Sequence, residues 1–168
     1  MSGQIHRWPA QQRVRHGGSV AEMLPPEIEG CERVVLVTTR SLADSAIARA
    51  TRAAIGNRLA GETSRMGAHS PIPDVLALAA LLREARADRV VALGGGSVID
   101  GAKVACYAVW HGIADQAALL PHVASRAAEG DPWEDTPRVP RITAIPTTLS
   151  AAEFAPYAGV TDKEAGRK

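Results

Sequence analysis

The segment RVVALGGGSVIDGAKVA, residues 89–105, constrains the fold more than any other part of the sequence. A short apolar, β-branched run leads into three consecutive glycines, and apolar side chains recur at helical spacing after Ser97. Two glycines suffice for a tight turn between a strand and a helix. The third predicts a loop whose backbone another group approaches closely, as in loops that bind phosphate. A simple turn with no ligand is the alternative interpretation.

Further strands are predicted from short apolar runs with the character of strands buried on both faces. These runs cover residues 32–39, 89–93 and 141–148, with a weaker signal at 63–68. Helical spacing separates them, at residues 41–61, 71–87 and 97–110. In the first helix, Ser41 is the predicted N-cap and Gly61 the predicted stop.

The alternation of strands and helices predicts an α/β fold, a Rossmann-like parallel sheet with flanking helices. A length of 168 residues fits one dinucleotide-binding domain over residues 1–168. Right-handed crossovers would place the strand-to-helix loops along one edge of the sheet, where open α/β sheets bind ligands. The three loops predicted to meet there are residues 38–41, 94–97 and 146–150.

Composition argues against several classes of partner. The net charge is +1 and the basic residues are scattered, so we expect no binding to nucleic acid or to a membrane surface. No apolar run approaches the roughly 20 residues needed to cross a bilayer, and the N-terminus lacks a secretory signal pattern. Cys31 and Cys106 lie far apart, in no metal-binding or redox spacing. We expect a cytoplasmic protein with reduced thiols.

The glycine loop suits a pyrophosphate because it opens a helix. The N-terminus of a helix presents unpaired N–H groups and the positive end of the dipole. Gly94, Gly95 and Gly96 would let an anion reach these groups, and Ser97 adds a hydroxyl donor. The spacing is not the dinucleotide GxGxxG pattern, because Ile99 stands at its sixth position. The loop alone therefore predicts a phosphate cradle and no particular ligand.

Asp100 follows in the first turns of the same predicted helix, three residues before Lys103. One interpretation is an acid favoured by the helix dipole and paired with a basic neighbour. The other is that Asp100 orients a ribose or the glycine loop. The sequence leaves both open.

Two segments resemble the iron-containing alcohol dehydrogenase family. GGGSVIDGAK, residues 94–103, is similar to its GGGSxxDxAK segment, and AIPTTLSAAEFAPYAGVTD, residues 144–162, is similar to its second cofactor segment. TTLSAAE is one residue shorter than in the metal-dependent alcohol dehydrogenases and resembles the maleylacetate reductase branch most. A departure is Ala151 and Ala152, which stand where the family has small Gly or Ser residues and which lack a hydroxyl donor.

The resemblance implies NAD or NADP as the cofactor. It implies that pyrophosphate binds at Gly95, Gly96 and Ser97, beside Gly94. It implies that Thr147, Thr148 and Ser150 line the adenosine and pyrophosphate side. It also implies that Tyr157 lies toward the nicotinamide and that Lys168 reaches the cofactor.

The residues that follow the first predicted strand bear on the choice between NAD and NADP. An acid there would bind a ribose 2′-hydroxyl and reject a 2′-phosphate. This chain has Thr38, Thr39 and Arg40 instead. The loop can tolerate NADPH, with Arg40 paired to the phosphate, and NAD stays open.

The resemblance also implies a helical C-terminal domain, beyond the 168 residues, that supplies substrate contacts and metal ligands. None of the five histidines forms a ligand pair by spacing, so we assign no catalytic or metal-binding residue here. We expect this chain to act with a second chain that carries that domain, in an oligomer, or to be part of a longer polypeptide. A non-catalytic nucleotide-binding or regulatory subunit is the alternative. TTLSAAE favours a metal-independent electrophile over iron.

Overall fold

The structure is a computed structural model that describes residues 13–124, 138–155 and 157–162. Parallel strands alternate with helices through this part of the chain. The strands are β1 (Val34–Val37), β2 (Leu59–Thr63), β3 (Arg89–Gly94) and β4 (Arg141–Pro146). The helices are α1 (Val20–Met23), α2 (Ala46–Ile55), α3 (Ile72–Glu84), α4 (Gly96–Trp110) and α5 (Gln116–Ala124).

The four strands form one sheet in the order β2-β1-β3-β4, and every neighbouring pair is parallel. Val35 of β1 pairs with Val90 of β3, which in turn pairs with Ile142 of β4. All four residues of β1 are buried, as expected for a strand covered by helices on both faces of a parallel sheet. The predicted α/β parallel fold is confirmed.

The two faces of the sheet pack against different elements because successive strand side chains point to opposite sides. Val35 and Val90 lie in one apolar cluster, with residues of α3 and α4 such as Leu78 and Ile99. Leu36, the residue after Val35 in β1, points to the opposite face of the sheet and belongs to a second apolar cluster. The other buried members of the second cluster are Leu24, Ile28, Val34, Ala48, Ile55, Val91 and Leu93.

The boundaries of α2 correct three sequence predictions. Ser45, rather than Ser41, is the N-cap, and its Oγ accepts a hydrogen bond of 3.2 Å from the Ala48 amide. The helix ends at Gly56, whose φ of +62° is a conformation that glycine adopts without a steric penalty. Gly61 therefore lies inside β2 and not at a helix end. The predicted strand at 63–68 is also wrong, because β2 occupies Leu59–Thr63.

In the described part of the chain, no helix is both long and apolar enough to span a membrane. The cytoplasmic location, and the assignment of residues 1–168 to a single domain, stay predictions.

Candidate functional site

The glycine loop meets the loop after β4 at the carboxyl edge of the sheet. The amide of Thr147 donates a 2.9 Å hydrogen bond to the Gly94 carbonyl. A Cβ atom placed on Gly95 would lie 2.9 Å from Thr148 Oγ1, and one on Gly96 would lie 3.1 Å from Cβ and Oγ of Ser150. Two of the three loops predicted to converge are thus in direct contact.

The third loop completes a cleft of about 720 Å³ at the same edge. Residues that follow each of the four strands line it, so it lies where open α/β sheets place their ligands. After β1 and β2 the lining residues are Thr39, Arg40, Ser41, Arg65, Met66, Gly67 and Ala68, with Asp74 of α3; after β3 and β4 they are Gly95, Gly96, Ser97, Val98 and Thr148.

The charges around this cleft favour an anion. The N-cap of α4 is Gly95, whose carbonyl accepts its first hydrogen bonds from the amides of Val98 and Ile99, at 3.0 and 3.2 Å. The amides of Gly96 and Ser97 come before these two and have no hydrogen-bond acceptor within the helix. The dipole of this 15-residue helix also makes this end positive. Exposed Arg40 and Arg65 line the same cleft. These features together suit a phosphate group.

Gly94 differs from the two glycines that follow it. A Cβ atom there would lie 2.5 Å from Cγ2 of Val98, which is 1% exposed in the first turn of α4. Close packing of α4 onto the end of β3 therefore accounts for glycine at this position. A role of Gly94 in cofactor binding stays a prediction.

Ser97 connects α4 to the loop that precedes α3. Its Oγ accepts a 2.9 Å hydrogen bond from the His69 amide, and its carbonyl accepts one of 2.8 Å from Ser70 Oγ. His69 and Ser70 both have positive φ, 61° and 50°. Sequence reasoning missed both residues. A possible signal was their place directly before the Pro71 that opens α3.

The two threonines after β1 lie in different surroundings. Thr38 is fully buried, and its Oγ1 donates a 2.8 Å hydrogen bond to the Leu93 carbonyl of β3. Thr39 lines the cleft, with its Oγ1 3.0 Å from Ser41 Oγ. The geometry gives Thr38 a role in joining β1 to β3 and leaves Thr39 available to a ligand.

Asp100 and Lys103 both contact the segment after β4. Asp100 Oδ2 accepts a 3.2 Å hydrogen bond from the Gly159 amide, and the Lys103 ammonium lies 3.7 Å from Asp100 Oδ1. Burial lowers the pKa of Lys103, an effect that the charges of Asp100 and Glu153 partly oppose. Tyr157 is 77% exposed in the same segment. Lys168, predicted to reach the cofactor, lies outside the described residues.

Metal ligands are not assembled in the part of the chain that the structure describes, where no group of three or more His, Cys, Asp or Glu side chains could hold a metal ion. His111 and His122 pack with Tyr107, whose hydroxyl lies 2.9 Å from His122 Nδ1. We therefore derive no catalytic step through a metal at these residues.

The family model of iron-containing alcohol dehydrogenases matches residues 11–168. The chain belongs to this family. Dehydrogenase FUM7 of Gibberella moniliformis is 34% identical over 142 residues, which cover 81% of this chain and 33% of that protein. Maleylacetate reductase 2 of Cupriavidus pinatubonensis is 29% identical over 164 residues, 96% of this chain and 36% of the relative. The chain thus spans about a third of the length of the curated relatives it matches.

Solved structures share this fold, among them an iron-containing alcohol dehydrogenase from Thermococcus thioreducens, with a TM-score of 0.67 at 20% identity over 86% of this chain and 37% of that one. Sulfoacetaldehyde reductase from Bifidobacterium kashiwanohense, solved in complex with NAD+, superimposes with a TM-score of 0.80 at 22% identity. The match covers 99% of this chain and 42% of that one. The resemblance predicted from residues 94–103 and 144–162 is confirmed, and the family's members are oxidoreductases.

Proposed function

We propose that this chain binds NAD(H) or NADP(H) in the carboxyl-edge cleft and serves hydride transfer between an alcohol and a carbonyl compound. The observation that carries the proposal is the start of α4, where Gly95 and Gly96, together with Thr148, line a cleft of about 720 Å³. Membership in a family of oxidoreductases supports it. So does the fold shared with a reductase solved with NAD+.

The residues present fit a dinucleotide. Backbone amides at Gly95, Gly96 and Ser97 would hold the pyrophosphate, because no side chain at either glycine separates an anion from the backbone. Thr148 and Thr39 line the same cleft and offer hydroxyl groups. When bound, the nicotinamide supplies or accepts the hydride. Further contacts by Thr147, Ser150, Asp100, Tyr157 and Lys168 stay predictions.

We propose that the site accepts both cofactors. The four residues directly after β1, 38–41, include no acid, and Arg40 and Arg65 bring two positive charges to a cleft whose one lining carboxylate among the described residues is that of Asp74. An arginine pairs well with a 2′-phosphate through its planar fork of donors. Sequence reasoning identified Arg40 and missed Arg65, because the strand before Arg65 was placed too late in the chain.

We also propose that catalysis requires a second, C-terminal half, supplied by the same polypeptide or by a partner chain in an oligomer. Hydride transfer needs an electrophile that stabilises charge on the carbonyl oxygen, opposite the nicotinamide. The support is that the chain matches only about a third of the length of these relatives. The expected assay result is oxidation of NAD(P)H with maleylacetate or simple aldehydes when that half is present, and no turnover without it.

The binding proposal is tested by calorimetric titration of the purified chain with NADH and NADPH. Arg40→Gln and Arg65→Gln should weaken NADPH binding more than NADH binding, because NADPH carries the additional negative charge of its 2′-phosphate. Arg86→Gln is the matched control, since Arg86 is exposed beyond the far end of α3 and outside the cleft. If neither cofactor binds the unaltered chain, the proposal is wrong.

A second comparison separates blocking of the ligand from disruption of the loop. Gly95→Ala alone places a methyl group against Thr148 as well as in the cleft. In Thr148→Ala that contact is relieved, so adding Gly95→Ala to it changes mainly the space open to a ligand. We expect the double variant to bind NADH about tenfold more weakly than Thr148→Ala. Equal affinities would contradict close approach of pyrophosphate to Gly95.

A further inference from the structure

The Lys103 ammonium is bound by the backbone of one segment. We call residues 150–155 and 157–159, which follow β4, the exit segment. Lys103 Nζ donates hydrogen bonds to the carbonyls of Ala152, Ala155 and Tyr157, at 2.6, 2.8 and 3.1 Å. An ammonium group has three N–H donors, and all three are used on this segment. Hydrogen bonds from a charged donor are stronger than neutral ones.

Asp100 holds the far end of the same segment. Its Oδ2 accepts the hydrogen bond from the Gly159 amide, and its other oxygen lies within ion-pair distance of Lys103. Residues three apart on a helix share one face, so one face of α4 contacts the exit segment at four backbone groups.

The exit segment also packs against the start of α4, which lines the cleft. It begins at Ser150, which lies against Gly96, and Ala152 is 8% exposed with its Cβ 3.7 Å from the position of a Gly96 Cβ. Just past its end, the Thr161 amide donates to the Ser70 carbonyl, in the loop that also holds Ser97. A shift of the exit segment would therefore move both sides of the start of α4.

We infer that Lys103 is a positioning residue: with Asp100, it holds the exit segment against α4 so that Thr148, two residues before that segment, lines the nucleotide cleft, and it thereby sets the affinity for the cofactor. The inference rests on the proposed function for its cofactor part. The contacts between Lys103 and the exit segment do not depend on it.

The charge on Lys103 is sensitive to pH. Its side chain is 21% exposed, and burial lowers its pKa against the opposing effects of Asp100 and Glu153. As pH rises, the ammonium loses its charge and one donor earlier than an exposed lysine would. Lys103 also borders a cavity of about 510 Å³ beside β4, whose other charged or titratable groups are Arg13, Arg15, His16, Glu27, Arg89 and Arg141, along with Glu153.

The pH dependence that Lys103 gives to the free energy of unfolding has the opposite sign to the pH dependence expected for cofactor affinity. A lowered pKa means that the unfolded chain keeps the proton at a pH where the folded chain has lost it. Between the two pKa values, the contribution of Lys103 to the free energy of unfolding therefore rises with pH. A loss of affinity in that range would reflect a local change in the exit segment.

Hydrogen exchange measured without cofactor tests the contacts themselves. Lys103→Met keeps the length of the stem and removes the three donors. We expect faster exchange in peptides that cover the exit segment and unchanged exchange in β1 and β3, with Arg86→Gln as the charge-removal control. Unchanged exchange in the exit segment of Lys103→Met would overturn the inference.

Titration with NADH, the form that is stable in alkali, tests the link to binding. At pH 7 we expect Lys103→Met to bind about tenfold more weakly, a change of about 1.4 kcal/mol. The unaltered chain should lose affinity at a pH below that at which an exposed lysine loses its proton, whereas Lys103→Arg, whose charge persists, should show no such loss. Wild-type affinity in Lys103→Met, or the same alkaline loss in Lys103→Arg, would contradict the inference. No NADH binding by the unaltered chain would instead overturn the proposed function.

Discussion

Gly94→Ala should destabilise the protein through one identifiable contact. The added methyl would lie 2.5 Å from Cγ2 and 2.8 Å from Cβ of Val98. Val98 is 1% exposed, and its β-branched side chain has one strongly preferred rotamer in a helix. The side chain cannot rotate away cheaply, so relief requires α4 to move relative to β3.

The expected cost follows from this overlap. Overpacking a well-packed core by a methyl group typically costs about 1–3 kcal/mol. Val98→Ala alone should cost about 2 kcal/mol, because it removes buried methyl groups. In the double variant the closest clash, with Cγ2, is gone while the Cβ contact at 2.8 Å remains. The double variant should therefore be more stable than the sum of the single effects by about 1 kcal/mol.

The assay is urea unfolding of the unaltered chain, the two single variants and the double variant, with the coupling energy taken from the cycle. Additivity to within about 0.5 kcal/mol would refute the reasoning, because it would show that the Gly94 methyl does not meet Val98. A Gly94→Ala variant as stable as the unaltered chain would refute it as well.

Further predictions concern stability and thiol reactivity. Ser45→Ala should lower the free energy of unfolding by about 1 kcal/mol, because it removes the N-cap of α2, whereas Ser41→Ala should change it little; urea unfolding measures both, and equal losses would contradict the cap assignment. Thr38→Val should cost about 1 kcal/mol in the same assay, since it removes the hydroxyl that joins β1 to β3; no loss would contradict that role. Burial raises the pKa of Cys106 to about 12, so near pH 8 it should react with a disulfide reagent far more slowly than half-buried Cys31. Equal rates for the two thiols in Cys31→Ser and Cys106→Ser variants would refute the burial of Cys106.

The sequence was enough to predict the elements whose apolar pattern matches their burial in the structure. β1 is fully apolar, β3 is apolar and buried after Arg89, and the two strands form the centre of the sheet. β2 reads LAGET and carries only two apolar residues among its five. Its extended conformation depends on pairing with β1, which local sequence does not reveal. Gly61 is the predicted end of α2, whereas the positive φ of Gly56 ends the helix earlier, and local sequence does not distinguish between the two glycines.

The sequence predicts which loops form the candidate site, but it does not predict which residues contact one another there. The positions of residues 94–97 and 146–150 follow from topology, because the carboxyl ends of parallel strands share an edge. The contribution of Arg65 depends on where β2 ends. The hydrogen bonds from His69 and Thr161 depend on how two distant loops meet. The sequence predicts only a pairing of Lys103 with Asp100, since the three backbone acceptors of Lys103 lie about 50 residues further along the chain.

The three glycines show why one motif can have several causes. A single explanation, close approach of phosphate, accounted for all of them in the sequence. In the structure the lack of a side chain at Gly94 leaves space for Val98 of α4, and the lack of side chains at Gly95 and Gly96 leaves space for Thr148 and Ser150. An anion at the start of α4 would therefore meet the loop after β4 as well as the glycine backbone. The exit segment continues from that loop and is held by Lys103, so α4 contacts this part of the chain both at its first turn and at the lysine two turns later.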